Sequence, residues 1–320
     1  MIIASEFKPA LLWGNRHIQT IVPNLLFPRV PVDLRRERLE LPDGDFIDVD
    51  WTTGSRGPIV IILHGLEGSM RSRYACNIMR SLHEMGFRGA MPYFRGCSGE
   101  ANRLPISYHS GFTQDLEYLS GLLKQREPGT PLAAVGYSLG GNVLLKWLGD
   151  SPNASRLVTG VAVSVPFDLA ACSAAIERGF SQVYMWELMG RMRRSAKRKF
   201  SRLPPPMPLS DIDKLRTFRQ YDDALTAPLH GYKDADDYYT RCSSRPFLKR
   251  IQVPTLVLHS SDDPFMTPEA VPTEAELSPA VRFELSRKGG HVGFVNGSIF
   301  RPQRWLEGRI GRHFLEHLKS

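Results

Sequence analysis

The 320-residue chain carries a net charge of +8 and is 42% hydrophobic and 23% charged, a globular balance long enough for one large α/β domain or a core with an insertion. Its four cysteines (Cys76, Cys97, Cys172, Cys242) stand far apart with no C-x-x-C pair, which argues against a disulfide framework or a structural zinc site and fits a reducing cytosol. No apolar run approaches the ~20 residues that span a bilayer, and the start of the chain lacks the features of a cleavable leader, so a soluble cytoplasmic protein is expected.

In chain order, Arg38–Leu41 and Phe46–Trp51 flank the turn sequence Pro42-Asp43-Gly44-Asp45 and read as an antiparallel hairpin. Ile59–Leu63 is a continuous apolar, mostly β-branched run, as expected of a strand buried on both faces. A helix at about 72–85, a strand at Arg88–Pro92, a helix at about 112–125 and a strand at Leu132–Tyr137 follow. A helix at about 141–149 and a strand at Val158–Val165 continue the alternation, the pattern of a mostly parallel sheet flanked by helices.

The alternation fails between residues 166 and 249, which hold the breaker Pro204-Pro205-Pro206 and no convincing strand. A helical cap over 166–249, inserted in a core of 1–165 and 250–320, is the expectation. Within it Met185, Met189, Met192, Ala196 and Phe200 recur at helical spacing. Seven basic residues and no acidic one lie between Arg191 and Arg202, mostly on the opposite face. That face reads as a solvated helix side or as a surface drawn to anionic lipid. Strands at Thr255–His259 and Val281–Leu285 and a helix at about 303–318 complete the chain.

Residues 136–140 read Gly136-Tyr137-Ser138-Leu139-Gly140, directly after the apolar run Pro131–Val135 and before the helix-compatible Gly141–Leu148. A G-x-S-x-G between strand and helix marks a sharp turn that strains the serine and lifts its hydroxyl clear of the sheet. A serine hydroxyl becomes a nucleophile only beside a base, and the base needs a group to orient it. Chain order with this turn is serine, acid, histidine. Downstream, Leu256–Phe265 runs from a strand into a loop carrying Asp262 and Asp263, and Lys288-Gly289-Gly290-His291-Val292-Gly293-Phe294 sets a histidine in a glycine-flanked loop. Both loops follow strands, where open α/β sheets build their sites. The aspartate directly before Pro264 matches the usual acid position, which favours Asp263 over Asp262. His259 competes with His291 but precedes both aspartates and reads as structural.

An acyl-transfer oxyanion needs two prepositioned N–H donors. One candidate is the amide of Leu139, next after the serine. The other is the amide of Leu66, in the loop His64-Gly65-Leu66-Glu67-Gly68. Phe94-Arg95-Gly96-Cys97-Ser98-Gly99 lacks the lysine and spacing of a phosphate-binding loop, and Cys97 is a poorer nucleophile candidate than Ser138.

These motifs are joined by Gly14-Asn15-Arg16-His17-Ile18-Gln19-Thr20, Tyr108-His109-Ser110-Gly111, Phe167-Asp168-Leu169 and His230-Gly231-Tyr232. Through them the chain resembles the α/β-hydrolases, and more closely the YheT-type hydrolases of bacteria and their eukaryotic abhydrolase-domain relatives. The resemblance implies the α/β-hydrolase fold with a helical cap, a triad of Ser138, Asp263 and His291, and neither cofactor nor metal. It also implies carboxylesterase or lipase-like cleavage of short- to medium-chain acyl esters through an acyl-enzyme. Eukaryotic relatives carry an N-terminal membrane anchor that this sequence does not show, so a membrane lipid substrate does not simply carry over. The expected partner is a small-molecule acyl ester, with no nucleic acid and with any membrane contact weak, peripheral and through the basic helix. A thioesterase, amidase or perhydrolase would use the same residues, and a non-catalytic scaffold is the reading without chemistry. The basic run contains no recognisable nucleic-acid-binding motif.

Overall fold

The computed structural model describes residues 1–10, 13–25, 27–28, 30–298 and 301–318. The β-branched and alternating runs form nine strands of one sheet: β1 (Ile2–Ala4), β2 (Leu34–Glu40), β3 (Phe46–Thr52), β4 (Ile59–Leu63), β5 (Arg88–Pro92), β6 (Leu132–Tyr137), β7 (Thr159–Val163), β8 (Thr255–Ser260) and β9 (Val281–Ser286). Their order across the sheet is β1-β9-β8-β7-β6-β4-β5-β3-β2. The hairpin β2–β3 is antiparallel and β3 pairs antiparallel with β5, while the strands from β5 through to β1 run parallel. β1 escaped the sequence reading: its three residues are too few to show a period, and it is fixed by parallel pairing with β9, Ile2 opposite Phe283. This is the α/β-hydrolase fold, a mostly parallel sheet flanked by helices.

Strand periodicity sorts the core into two layers. Ile59, Ile61 and Leu63 of β4 face Leu116 and Leu119 of the helix Gln114–Arg126 and Val143 and Leu144 of the helix Leu139–Asp150. Val60 and Ile62 point the other way, to Ile78 and Leu82 of Arg73–Glu84 and Ile310 and Phe314 of Trp305–Leu318. Both faces of the central strands are covered, which is why they read as unbroken apolar runs rather than alternating ones.

Between β7 and β8 the chain forms helices and no strand. The longest, Ser181–Phe200, buries Met185, Met189, Met192, Ala196 and Phe200 against Ile176, Ile212, Leu215 and Leu225. Arg191, Arg194 and Arg198 are exposed on its other side. Lys199 is not: it is buried, and its Nζ donates to the Ile106 carbonyl at 2.7 Å and Ser107 Oγ at 2.7 Å. Burial lowers its pKa to about 8.

Candidate active site

The turn after β6 puts Ser138 at φ 52°, ψ −119°, a left-handed backbone that a non-glycine residue keeps only where its surroundings hold it. One restraint is the Ser138 amide, which donates to the Val163 carbonyl at 2.8 Å. The two motif glycines answer to space. A Cβ on Gly136 would stand 2.4 Å from the Gly140 carbonyl oxygen, and one on Gly140 would stand 2.4 Å from the carbonyl oxygen of Leu63. A side chain at either position would meet backbone, so the close approach of strand and helix requires glycine.

Three of the sequence candidates meet. Ser138 Oγ lies 3.0 Å from His291 Nε2, and His291 Nδ1 lies 2.8 Å from Asp263 Oδ2. With Nδ1–H donating to the carboxylate, Nε2 is left to accept the serine proton, so the geometry fixes the tautomer. The second Asp263 oxygen accepts from the Phe265 amide at 2.9 Å. Asp262 does not reach the imidazole. Its Oδ1 accepts from the Gly290 amide at 3.0 Å, which braces the histidine loop, and burial raises its pKa. His259, in β8, is fully buried between Phe167 and Phe283, and burial lowers its pKa to about 4, so it is a neutral core residue.

The histidine loop has supports that sequence reasoning missed. The helix Arg16–Leu25, absent from the sequence-derived elements, packs on it: Thr20 Oγ1 accepts from the His291 amide at 2.9 Å, and Gln19 Oε1 accepts from the Val295 amide at 2.7 Å. Contact is so close that a Cβ on Gly293 would stand 2.2 Å from the Gln19 carbonyl oxygen. Ser164 Oγ accepts from the Val292 amide at 3.0 Å, and the Phe265 ring stacks on His291 at 4.0 Å. The pattern Asn15-x-x-x-Gln19-Thr20 was the available signal, but polar residues on a short helix carry no mark of what they will hold.

The loop after β4 is pinned on every side. His64 Nδ1–H donates to the Gly65 carbonyl at 2.7 Å while its Nε2 accepts from the Phe94 amide at 3.1 Å. Burial keeps this imidazole neutral, with a pKa of about 4. The Gly65 amide donates to Tyr74 Oη at 2.8 Å, the Glu67 amide to Tyr108 Oη at 2.8 Å and the Gly68 amide to the Gly65 carbonyl at 3.0 Å. Among the described residues the Leu66 amide has no acceptor, nor does that of Leu139 at the start of its helix. Gly65 packs directly beside the serine, a Cβ there being 3.5 Å from Ser138 Cβ.

These groups lie in a cleft partly open to solvent, whose walls come from the β7–β8 connection and from the loops that follow β4, β5, β6, β8 and β9. Leu66, Leu139, Ser138 and His291 line one part, and Leu188, Met192, Phe218 and Leu225 give it an apolar roof. Cys97 lies near but outside its lining, and burial raises its thiol pKa, which leaves it a poor nucleophile. Arg95, Lys199 and Asp222 are buried charged groups in the wall, and Arg95 is paired with Asp115 at 2.7 Å. Burial pushes the Asp222 carboxyl up to about 7, against the opposing hydrogen bonds from Thr226 Oγ1 (2.6 Å) and Tyr239 Oη (2.8 Å).

Comparison with known proteins agrees with this architecture. Residues 58–298 match the alpha/beta hydrolase fold family. The chain is 42% identical to "Putative esterase YheT" of Escherichia coli (strain K12), over 99% of this chain and 95% of that one. It is 28% identical to "Phospholipase ABHD3" of Mus musculus, over 98% of this chain and 79% of that one. Among solved structures, the Pyrococcus furiosus esterase Pf2001 superposes with a TM-score of 0.60 at 17% identity, covering 91% of this chain and 97% of that chain.

Proposed function

This chain belongs to the α/β-hydrolase family, in its YheT-type branch, and on that premise we propose that it is a serine hydrolase cleaving carboxylic esters with short- to medium-chain acyl groups. The observation that carries the reading is the unbroken hydrogen-bonded line Ser138–His291–Asp263 opening into an apolar cleft. In this reading His291 takes the Ser138 proton as the oxygen attacks the ester carbonyl, and Asp263 holds the imidazole tautomer and stabilises its charged form. The amides of Leu66 and Leu139 receive the oxyanion. His291 then protonates the leaving alcohol, and an activated water releases the acid from the acyl-enzyme. The core comprises residues 1–165 and 250–320, and 166–249 serve as the cap that selects the acyl chain. The reading needs no cofactor, metal or nucleic acid, and its partner is a small-molecule ester.

The names of the relatives support ester chemistry, since one is called an esterase and another a phospholipase. The test is hydrolysis of 4-nitrophenyl esters graded by chain length, with wild type and Ser138→Ala side by side. Turnover by wild type alone, together with fluorophosphonate labelling of Ser138, is the expected result. Activity retained in Ser138→Ala sinks the assignment.

A further inference from the structure

Few large apolar side chains are exposed among the described residues, and most of those few stand on, or directly before, two helices that touch. At the start of the helix Ser181–Phe200 stand Phe180, 52% exposed, Val183, 45%, and Trp186, 60%. On the helix Arg16–Leu25 stand Ile18, 39% exposed, and Leu25, 63%. The two helices touch: the His17 ring packs 4.5 Å from that of Phe180, and His17 Nδ1 lies 3.0 Å from Tyr184 Oη. Behind them Tyr184 packs 5.1 Å from Phe265, the ring stacked on His291. The exposed patch is thus the outer end of an aromatic stack whose inner end is the triad histidine. A chain that spends its apolar surface so unevenly marks an interface.

Charge indicates what covers it. The exposed face of the helix continues from Val183 and Trp186 into Arg191, Arg194 and Arg198, and exposed Arg16 and Arg178 lie within two residues of Ile18 and Phe180. Arg191 is paired with Glu187, but among the described residues Arg16, Arg178, Arg194 and Arg198 have no carboxylate within 4.0 Å. Glu187 and Glu177 are the acidic exceptions at the rim. A second copy of the chain seated on this patch would bring two cationic rims together, which is repulsive. An apolar centre containing tryptophan within a guanidinium rim instead matches a bilayer whose surface is anionic.

We propose that the face built by helices Arg16–Leu25 and Ser181–Phe200 is a docking surface for an anionic lipid bilayer, with Phe180, Val183 and Trp186 entering the headgroup region. The docking stands apart from the ester chemistry, because it rests on exposed surface and charge alone.

The test is co-sedimentation of the full chain with vesicles of phosphatidylcholine alone and of phosphatidylcholine mixed with phosphatidylserine. Wild type binds the mixed vesicles, binds the neutral ones at least about tenfold more weakly, and is released by high salt. Arg178→Glu with Arg194→Glu removes the preference for phosphatidylserine, and Trp186→Ser with Val183→Ser weakens binding to the mixed vesicles at least about tenfold. All four side chains are exposed, so hydrolysis of a water-soluble short-chain ester serves as the folding control. No binding to mixed vesicles, or binding insensitive to both pairs of substitutions, overturns the proposal. So does concentration-dependent dimerisation that Trp186→Ser abolishes, which gives the patch to a second copy. Binding intact in a chain that cleaves no ester leaves this inference standing and removes the catalytic one.

Discussion

Ser195 Oγ donates a 2.5 Å hydrogen bond to Glu67 Oε2, joining the middle of the helix Ser181–Phe200 to the loop after β4. The other Glu67 oxygen accepts from Tyr108 Oη at 3.0 Å, and the Glu67 backbone is held at φ 51°, left-handed for a side chain that gains nothing from it. At its start the same helix donates from Ser181 Oγ to the Pro264 carbonyl at 2.6 Å, beside Asp263. One helix therefore braces both the loop carrying the Leu66 amide and the loop carrying Asp263.

Because a hydrogen bond to a carboxylate contributes ~1.5–3 kcal/mol and this one restrains a strained loop, Ser195→Ala should lower kcat by about tenfold with little change in KM. Ser195→Thr, which keeps the hydroxyl, should restore most of the rate. Steady-state kinetics on one soluble ester decides it: a change confined to KM would mean that Ser195 shapes the cleft rather than the oxyanion loop.

The two adjacent aspartates make different predictions. Asp263 holds the Nδ1 proton of His291, so Asp263→Asn presents an amide N–H there and inverts the tautomer. Loss of about 10⁴ in kcat is the scale seen for this change in a serine protease triad. Asp262→Asn keeps an oxygen for the Gly290 amide and should cost no more than about threefold. Parallel measurement of the two variants checks the order, and the reverse order would move the acid to Asp262.

Much of this site was legible in the sequence because its chemistry is local. Gly136, Ser138 and Gly140 stand in one turn, and the loops of Asp263 and His291 each follow a strand whose apolar run is visible by itself. The pair Asp262/Asp263 needed coordinates, since adjacent residues on one loop differ only in which way they point. The Ser195–Glu67 bond spans 128 residues, and Thr20 lies 271 residues from His291, so no window of sequence holds both partners. The basic run reads as lying mostly on one face, and Lys199 is an exception that the spacing does not single out: it sits on the buried side of the helix, held by carbonyls of a distant loop. β1 and the helix Arg16–Leu25 were missed because one is three residues long and the other contains Pro23.

Glycine substitutions should divide by what surrounds each position. Gly140→Ala drives a Cβ to 2.4 Å from the Leu63 carbonyl oxygen and 2.5 Å from that of His64, both backbone atoms in buried positions. The strand or the helix must shift, and we expect destabilisation of at least about 3 kcal/mol. Gly308, inside the helix Trp305–Leu318, has nothing within 4 Å of an added Cβ. Gly308→Ala should therefore stabilise by about 0.5–1 kcal/mol through helix propensity. Urea midpoints for the two variants test the contrast.

The dependence of stability on pH should carry the mark of Asp222. Its buried carboxyl titrates near 7 in the folded chain, against ~3.9 for an unfolded aspartate. Between those values the folded chain keeps a proton that the unfolded chain has released. Stability from this group therefore falls as pH rises from about 4 to about 7 and is level above. The buried neutral histidines His64 and His259 act in the opposite sense, since their folded pKa values of about 4 lie below the unfolded ~6.5, so stability from them rises over that range. Comparing wild type with Asp222→Asn cancels the histidines and isolates the carboxyl. The amide cannot ionise, so the variant should gain stability relative to wild type as pH is raised from 5 to 8, by about 3 kcal/mol, nearly all of it below pH 7. A relative stability that stays flat across that range would show that Asp222 is ionised in the folded chain throughout, with Thr226 and Tyr239 supplying the solvation that burial removed.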